Sequence, residues 1–102
     1  MKFKYFHIEL GDVAIDLRSR TVYAKGKVIR LTKTEYKLLL FLLLHQDRIV
    51  SKDELSFAVK SKSEDENKLN HLLSMHIFNL RNKLKNSIKV VSIPKKGFII
   101  CK

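Results

Sequence analysis

The chain has 102 residues, with 21 Lys and Arg against 10 Asp and Glu, a formal net charge of +11 and a hydrophobic content of 45%. That length suits one domain, and that apolar fraction suffices for a core, which excludes intrinsic disorder and collagen-like structure. The single cysteine, Cys101, excludes an internal disulfide framework or a multi-cysteine zinc site, and the longest apolar run, Leu38 to Leu44, is far short of the ~20 residues a membrane span needs.

Lys4, Glu9 and Asp12 interrupt the N-terminus, which does not read as a signal peptide. The first thirty residues read as short strands. Val13, Ile15 and Leu17 alternate with Ala14 and Asp16 in a half-buried strand pattern. Thr21-Val22-Tyr23 and Val28-Ile29-Arg30-Leu31 flank Ala24-Lys25-Gly26-Lys27, where Gly26 supplies a positive φ for a tight turn. The expected product over residues 1–31 is a small antiparallel sheet, which needs cover on one face.

A three-helix core is expected over residues 32–86. Thr32-Lys33-Thr34-Glu35 is a capping box, followed by an apolar stripe of Tyr36, Leu39, Leu40, Leu43 and Leu44 that Leu38, Phe41 and Leu42 widen. This helix, apolar on nearly all sides, is expected to be central, with His45 at its end. Ser51-Lys52-Asp53-Glu54 is a second capping box, opening a short helix that turns Leu55, Ala58 and Val59 inward. Ser63-Glu64-Asp65-Glu66 is a third candidate, with Asn67 a competing cap. The last helix runs to about Lys85, with Leu69, Leu73, Ile77, Leu80 and Leu84 within roughly 80° of one another as its core face. Residues 87–102 then read as a hairpin, Ile88–Ile93 and Phe98–Ile100 around Pro94-Lys95-Lys96-Gly97. The fold class is α+β.

Charge is not spread evenly. No Asp or Glu follows Glu66, so residues 67–102 carry a local net of +8 and residues 1–66 only +3. An excess of that size points to a polyanion, either nucleic acid or an acidic membrane surface. Opposite the core stripe of the last helix lie Lys68, His71, Met75, Phe78, Asn79, Asn82 and Asn86. Ser74, Arg81 and Lys85 line one edge of this face, and Leu72 and Lys83 the other. Asn reads adenine bidentately in the major groove, and apolar side chains meet the thymine methyl. His71, Ser74, Met75, Phe78, Asn79 and Asn82 are therefore the candidate base readers. Lys52, Lys68, Arg81, Lys85, Lys95 and Lys96 are the candidate phosphate and wing contacts. The structural alternatives are that Met75 and Phe78 pack on a neighbouring element, and that Lys95-Lys96 is a charged turn kept for solubility.

Three ordered blocks carry a family resemblance. Leu31-Thr32-Lys33-Thr34-Glu35-Tyr36-Lys37-Leu38-Leu39, then Val50-Ser51-Lys52-Asp53-Glu54-Leu55, then His76-Ile77-Phe78-Asn79-Leu80-Arg81-Asn82-Lys83-Leu84 resemble the OmpR/PhoB-type winged helix-turn-helix DNA-binding domain. The ending Ile93-Pro94-Lys95-Lys96-Gly97-Phe98 resembles the wing of the ToxR/CadC branch, transcription activators usually tethered to the inner membrane. The resemblance extends from about Ile8 to Ile100. It implies a bacterial, sequence-specific regulator of transcription on double-stranded DNA, with the third helix in the major groove and the wing at the minor groove. By position it makes Arg81 a phosphate-contacting arginine and Lys95 and Lys96 the wing tip. It also implies a contact with RNA polymerase in some relatives through the loop that here holds Lys62, Glu64, Asp65 and Glu66. A homodimer on DNA, or a partner regulator, is a further expectation.

The departures bear on specificity. Phe78 and Asn79 stand where PhoB-like members carry base-reading arginines, Lys60 replaces a tryptophan, and Phe98 replaces the wing tyrosine. No inherited target sequence survives these changes, and an A·T-leaning site is expected from Asn and apolar readers. Catalysis finds no support, because the four histidines lack metal-pair spacing and no phosphate loop or nucleophile elbow is present. No cofactor or metal is expected. The competing function is a winged-helix protein-interaction module that uses Met75 and Phe78 as anchors and does not read DNA; RNA binding lacks the interleaved surface aromatics it needs. The expected location is the cytoplasm on DNA, or the inner membrane if the chain is a fragment of a longer ToxR-like protein.

Overall fold

A computed structural model describes residues 6–59 and 66–102, with side chains for 6–59 and 72–102. Four strands, β1 (His7–Leu10), β2 (Val13–Asp16), β3 (Thr21–Ala24) and β4 (Lys27–Ile29), form an antiparallel sheet in chain order. Its register aligns Ile8, Ile15, Val22 and Ile29 in one row across all four strands. That row places β-branched neighbours side by side and gives the sheet its buried face. Lys25 and Gly26 both take positive φ, 54° and 79°, in the two-residue turn closed by the Ala24–Lys27 pair, a geometry that matches the twist of the flanking strands.

Helix α1 (Lys33–Leu44) starts where the capping box predicts. The Thr32 hydroxyl accepts the Glu35 N–H at 3.2 Å, and the Glu35 carboxylate accepts the Thr32 N–H at 3.0 Å. Leu38, Leu39, Leu42 and Leu43 are fully buried. Leu44 departs from the expected stripe: it is 56% exposed, at the helix end, four residues past the half-buried Leu40 on an uncovered side. His45 is the C-cap, its ring 4.6 Å from that of Phe41. The Gln46 amide donates to the Glu9 carbonyl at 3.3 Å and the Leu43 carbonyl at 3.1 Å, tying the end of α1 to β1.

Helix α2 (Lys52–Val59) has the second expected box, with the Ser51 N–H donating to Glu54 at 2.9 Å and the Glu54 N–H to the Ser51 hydroxyl at 3.0 Å. The Arg48 guanidinium forks onto the same carboxylate at 2.8 and 3.1 Å, and that fork first, with the Ser51 N–H, pulls the Glu54 carboxyl down to about 2. Leu55, Ser56 and Val59 are buried. Helix α3 (Glu66–Leu84) buries Leu73, Ile77, Leu80 and Leu84, the periodic positions. The third candidate box falls largely outside the described residues, as does the Leu69 side chain.

The chain closes with a hairpin, β5 (Lys89–Ile93) and β6 (Gly97–Cys101), paired from Lys89–Cys101 to Ile93–Gly97. It docks on the segment before α2: Val50 donates to the Phe98 carbonyl at 2.7 Å and accepts the Phe98 N–H at 2.8 Å. Sheet, helices and hairpin share one core that includes Ile15, Leu39, Leu42, Leu55, Ile77 and Ile100. The architecture is the α+β winged helix-turn-helix expected from the sequence.

Two positions control how these parts sit together. Gly97 has φ 141°, and a Cβ there would stand 2.0 Å from the Val50 carbonyl oxygen. Gly97→Ala should therefore cost about 3 kcal/mol, measurable by denaturant unfolding; an unchanged midpoint would remove the close approach. Glu35 is fully buried, and the Lys83 ammonium meets it at 2.5 Å. Burial raises the Glu35 carboxyl pKa, but the Lys83 hydrogen bond and those from Thr32 outweigh it, so the group titrates below its ordinary value. A lowered folded pKa adds stability that is present above the ordinary carboxylate range and lost as pH falls through the folded value. Stability should thus drop on acidification below about pH 4.5, and Glu35→Gln should flatten that drop. An identical acid limb in the variant would contradict this role.

Candidate nucleic-acid interface

The geometry of the outer face of α3 follows from what holds its inner face. With Leu73, Ile77, Leu80 and Leu84 in the core, a 3.6-residue period turns Ser74, Met75, Phe78, Asn79 and Asn82 outward, and all five are exposed. Met75 is 54% and Phe78 61% exposed. Neither belongs to the core cluster of the described residues or packs against it, which disfavours internal packing as their role. Apolar groups beside three exposed amides, Asn79, Asn82 and Asn86, form a surface that can meet both methyl groups and hydrogen-bonding edges.

Two of the bases expected along its edges have other engagements. Lys83 turns to Glu35, because a fully buried carboxylate needs a counter-charge. Arg81 is half-buried and grips the wing: its Nε donates to the Val90 carbonyl at 2.7 Å and its Nη2 to the Ser92 hydroxyl at 2.7 Å. The charge of Arg81 is not neutralised by these partners, yet the side chain is held at the junction of helix and hairpin. Lys85 remains exposed at the end of α3.

At the wing tip the Lys96 N–H donates to the Ile93 carbonyl at 3.0 Å, with Pro94 and Lys95 central in the turn. Lys95 takes φ 64°, a left-handed conformation that costs a non-glycine residue about 1 kcal/mol. Strain of this kind persists where the surroundings impose it and often marks function. Lys95 and Lys96 are both exposed.

The structure thus brings Ser74, Met75, Phe78, Asn79 and Asn82 onto one face, with Lys95 and Lys96 on a hairpin that Arg81 fastens to the same helix. Lys52 is exposed at the start of α2. Lys68 and His71 belong to α3, but their side chains lie outside the described residues. Lys62, Glu64 and Asp65 lie outside them altogether, and Glu66 opens α3. Sequence reasoning missed Phe57, which is 82% exposed on α2, and Lys25 and Lys27, which meet the end of α3. A helical wheel of residues 52–59 would have flagged Phe57. No local signal links residues 25 and 85. Among the described residues no cluster of His, Cys, Asp and Glu is arranged to hold a metal, and no helix is long and apolar enough to cross a membrane.

Comparison with known proteins adds an independent line. Residues 26–100 match the family described as transcriptional regulatory protein, C terminal. The transcriptional regulatory protein QseB of Haemophilus influenzae is 39% identical over 93 residues, which are 88% of this chain and 41% of that protein. The chain therefore spans about two fifths of the length of that curated relative. Among solved structures, the DNA-binding domain of CpxR from E. coli superposes with a TM-score of 0.76 at 26% identity, covering 94% of this chain and 96% of that one. The Klebsiella pneumoniae RstA DNA-binding domain in complex with the RstA box gives 0.72 at 22% identity, covering 93% and 96%; at that identity the likeness is one of fold.

Arg81→Lys should loosen the helix–wing junction, since an ammonium cannot reproduce the two-pronged grip. The expected cost is about 1–2 kcal/mol, read as a lower unfolding midpoint. Ser92→Ala on that background should add almost nothing, and additive losses would show that the two side chains act apart.

Proposed function

Because the chain belongs to the OmpR/PhoB-type family of transcriptional regulatory protein C-terminal domains, regulators and not enzymes, we propose that it reads double-stranded DNA with the outer face of α3. In this reading α3 enters the major groove. Met75 and Phe78 contact thymine methyl groups, while Asn79 and Asn82 pair with adenine edges, which favours an A·T-leaning site. Ser74 and His71 complete the reading set. The observation that carries the reading is the outward turn of Met75, Phe78 and Asn79 on a helix whose opposite face is buried. Met75 and Phe78 stand together on one face beside exposed amides, and clustered exposed apolar groups with a polar rim mark interaction sites.

Phosphates are the proposed partners of Lys52, Lys68 and Lys85, with the Lys95–Lys96 tip at the minor groove beside the helix. Arg81 keeps the wing at a set distance from α3 and carries its own charge toward the same backbone. As domain organisation we propose one winged-helix unit over residues 1–102, with the sheet at 1–31, the helices at 32–86 and the wing at 87–102. RNA polymerase as a partner of the segment that holds Lys62, Glu64, Asp65 and Glu66, pairing of two copies on DNA, and a cytoplasmic location complete the proposal. The membership in a regulatory family supports these roles.

A second reading rests on the same exposure: Met75 and Phe78 could anchor a protein partner. Salt and sequence separate the two. Lys95→Ala with Lys96→Ala should weaken binding to all duplexes alike and flatten the salt dependence, whereas Asn79→Ala should shift preference by about 1–3 kcal/mol at one base pair. Selection of sites from a random duplex library, repeated with each variant, measures both. Recovery of no common site with the wild-type protein would favour the protein-partner reading.

A further inference from the structure

Beyond the reading face, the end of α3 borders a cleft of about 200 Å3 in which Lys25, Lys27 and Asn86 have no role in the reading above, while Lys85 and Asn82 do. Its walls come from elements far apart in the chain: Ala24 and Ile29 with Lys25 on the β3–β4 turn and Lys27 at the start of β4, Lys83, which is paired with Glu35, and Asn82, Lys85, Asn86 and Ser87 at the end of α3. An adjoining groove of about 190 Å3 shares the last three of these and adds Lys89 and Lys102. No Asp or Glu lines either hollow, and none of the five lysines besides Lys83 belongs to an ion pair among the described residues. Lys85 alone could answer the negative carbonyl end of α3. Lys25 and Lys27 could not, since they arrive from the N-terminal sheet. Lysines that converge without counter-charges repel one another, and an anion between them relieves that repulsion.

Geometry says which anion. Seven residues separate Phe78 from Lys85, about 10 Å along a helix that rises ~1.5 Å per residue. The major groove is about 12 Å wide. With Met75 to Asn82 over base edges and α3 set across the groove, the end of the helix reaches the backbone that borders it, and Asn82 stands between the reading face and the cleft.

We propose that this cleft is a third DNA contact, in which Lys25, Lys27 and Lys85, with the Asn86 amide, hold phosphates at one border of the site. The contact carries no sequence information and lengthens the footprint on one side. It rests on the DNA reading proposed above. Phosphate is the chemistry recognised, and a free phosphate ion is its other source.

The test uses Lys25→Ala with Lys27→Ala, on an exposed turn whose Gly26 is kept. On a site selected by the wild-type protein, the variant should bind roughly tenfold more weakly at low salt, with a salt slope shallower by about two. Its sequence preference should be unchanged, and phosphate-ethylation interference should disappear at one border only. A wild-type slope and footprint in this variant, while the Lys95→Ala, Lys96→Ala pair still flattens the slope, would overturn the cleft contact and leave the DNA reading intact. Failure of the wild-type protein to bind any duplex would overturn both. Saturable shifts of the Lys25 and Lys27 amides by inorganic phosphate, with DNA binding unaltered in the variant, would replace the backbone with the free ion and overturn the proposal.

Discussion

A carboxylate closed off from solvent has to be met by a cation and by hydrogen bonds, and Glu35 is where this fold satisfies that requirement. Its side chain closes the first turn of α1 through the Thr32 N–H and binds the Lys83 ammonium from α3. Capping alone needs no burial, and a helix-helix contact alone needs no charge. One group serving both fixes the rotation of α3 relative to α1. Leucine and isoleucine on the inner face of α3 tolerate small rotations; a buried ion pair does not, because a slip of one residue would leave Glu35 unmatched. The outer face is therefore presented in a single orientation.

The wing is bound to this frame by contacts of a different kind. Arg81 reaches from α3 to the carbonyl and hydroxyl of β5, and β6 lies against Val50 with no room for a side chain at Gly97. Backbone-to-backbone docking of Phe98 on one side and the Arg81 fork to Val90 and Ser92 on the other hold the hairpin along the half that leads to its turn. At the turn itself Lys95 adopts a left-handed conformation. A hairpin anchored just behind an exposed cationic tip suits a surface that must meet a helical polyanion at two separated places.

Electrostatics also changes character between chain and fold. Residues 67–102 hold a net of +8, but Lys83 is neutralised internally and Arg81 is tethered. Lys25 and Lys27, counted with the less charged N-terminal part, join the end of α3 instead. The positive surface is thus neither the C-terminal third nor the whole chain. Lys85, Lys95 and Lys96 stay exposed in the C-terminal part, and Lys25 and Lys27 border the end of α3 from the sheet.

Local rules made much of this legible from residue order. Thr32 and Glu35, and Ser51 and Glu54, announce their helices because a capping box involves only four neighbouring residues. Leu73, Ile77, Leu80 and Leu84 announce the inner face of α3 because helical periodicity is local as well, and the outward set follows by subtraction. Gly26 and Pro94 mark turns for reasons of backbone geometry alone. Leu44 shows where such rules stop: its spacing fits the stripe, yet burial depends on what stands opposite, and among the described residues it stays exposed. The same holds for Lys83, Arg81, Lys25 and Lys27. Their spacing places them on edges or turns, while Arg81 and Lys83 find partners 9 to 48 residues away and Lys25 and Lys27 border the far end of α3. Residue order by itself determined the elements and the face that α3 turns outward; only the tertiary structure decided which cations remain free, because charge pairing depends on distances across elements that periodicity does not encode.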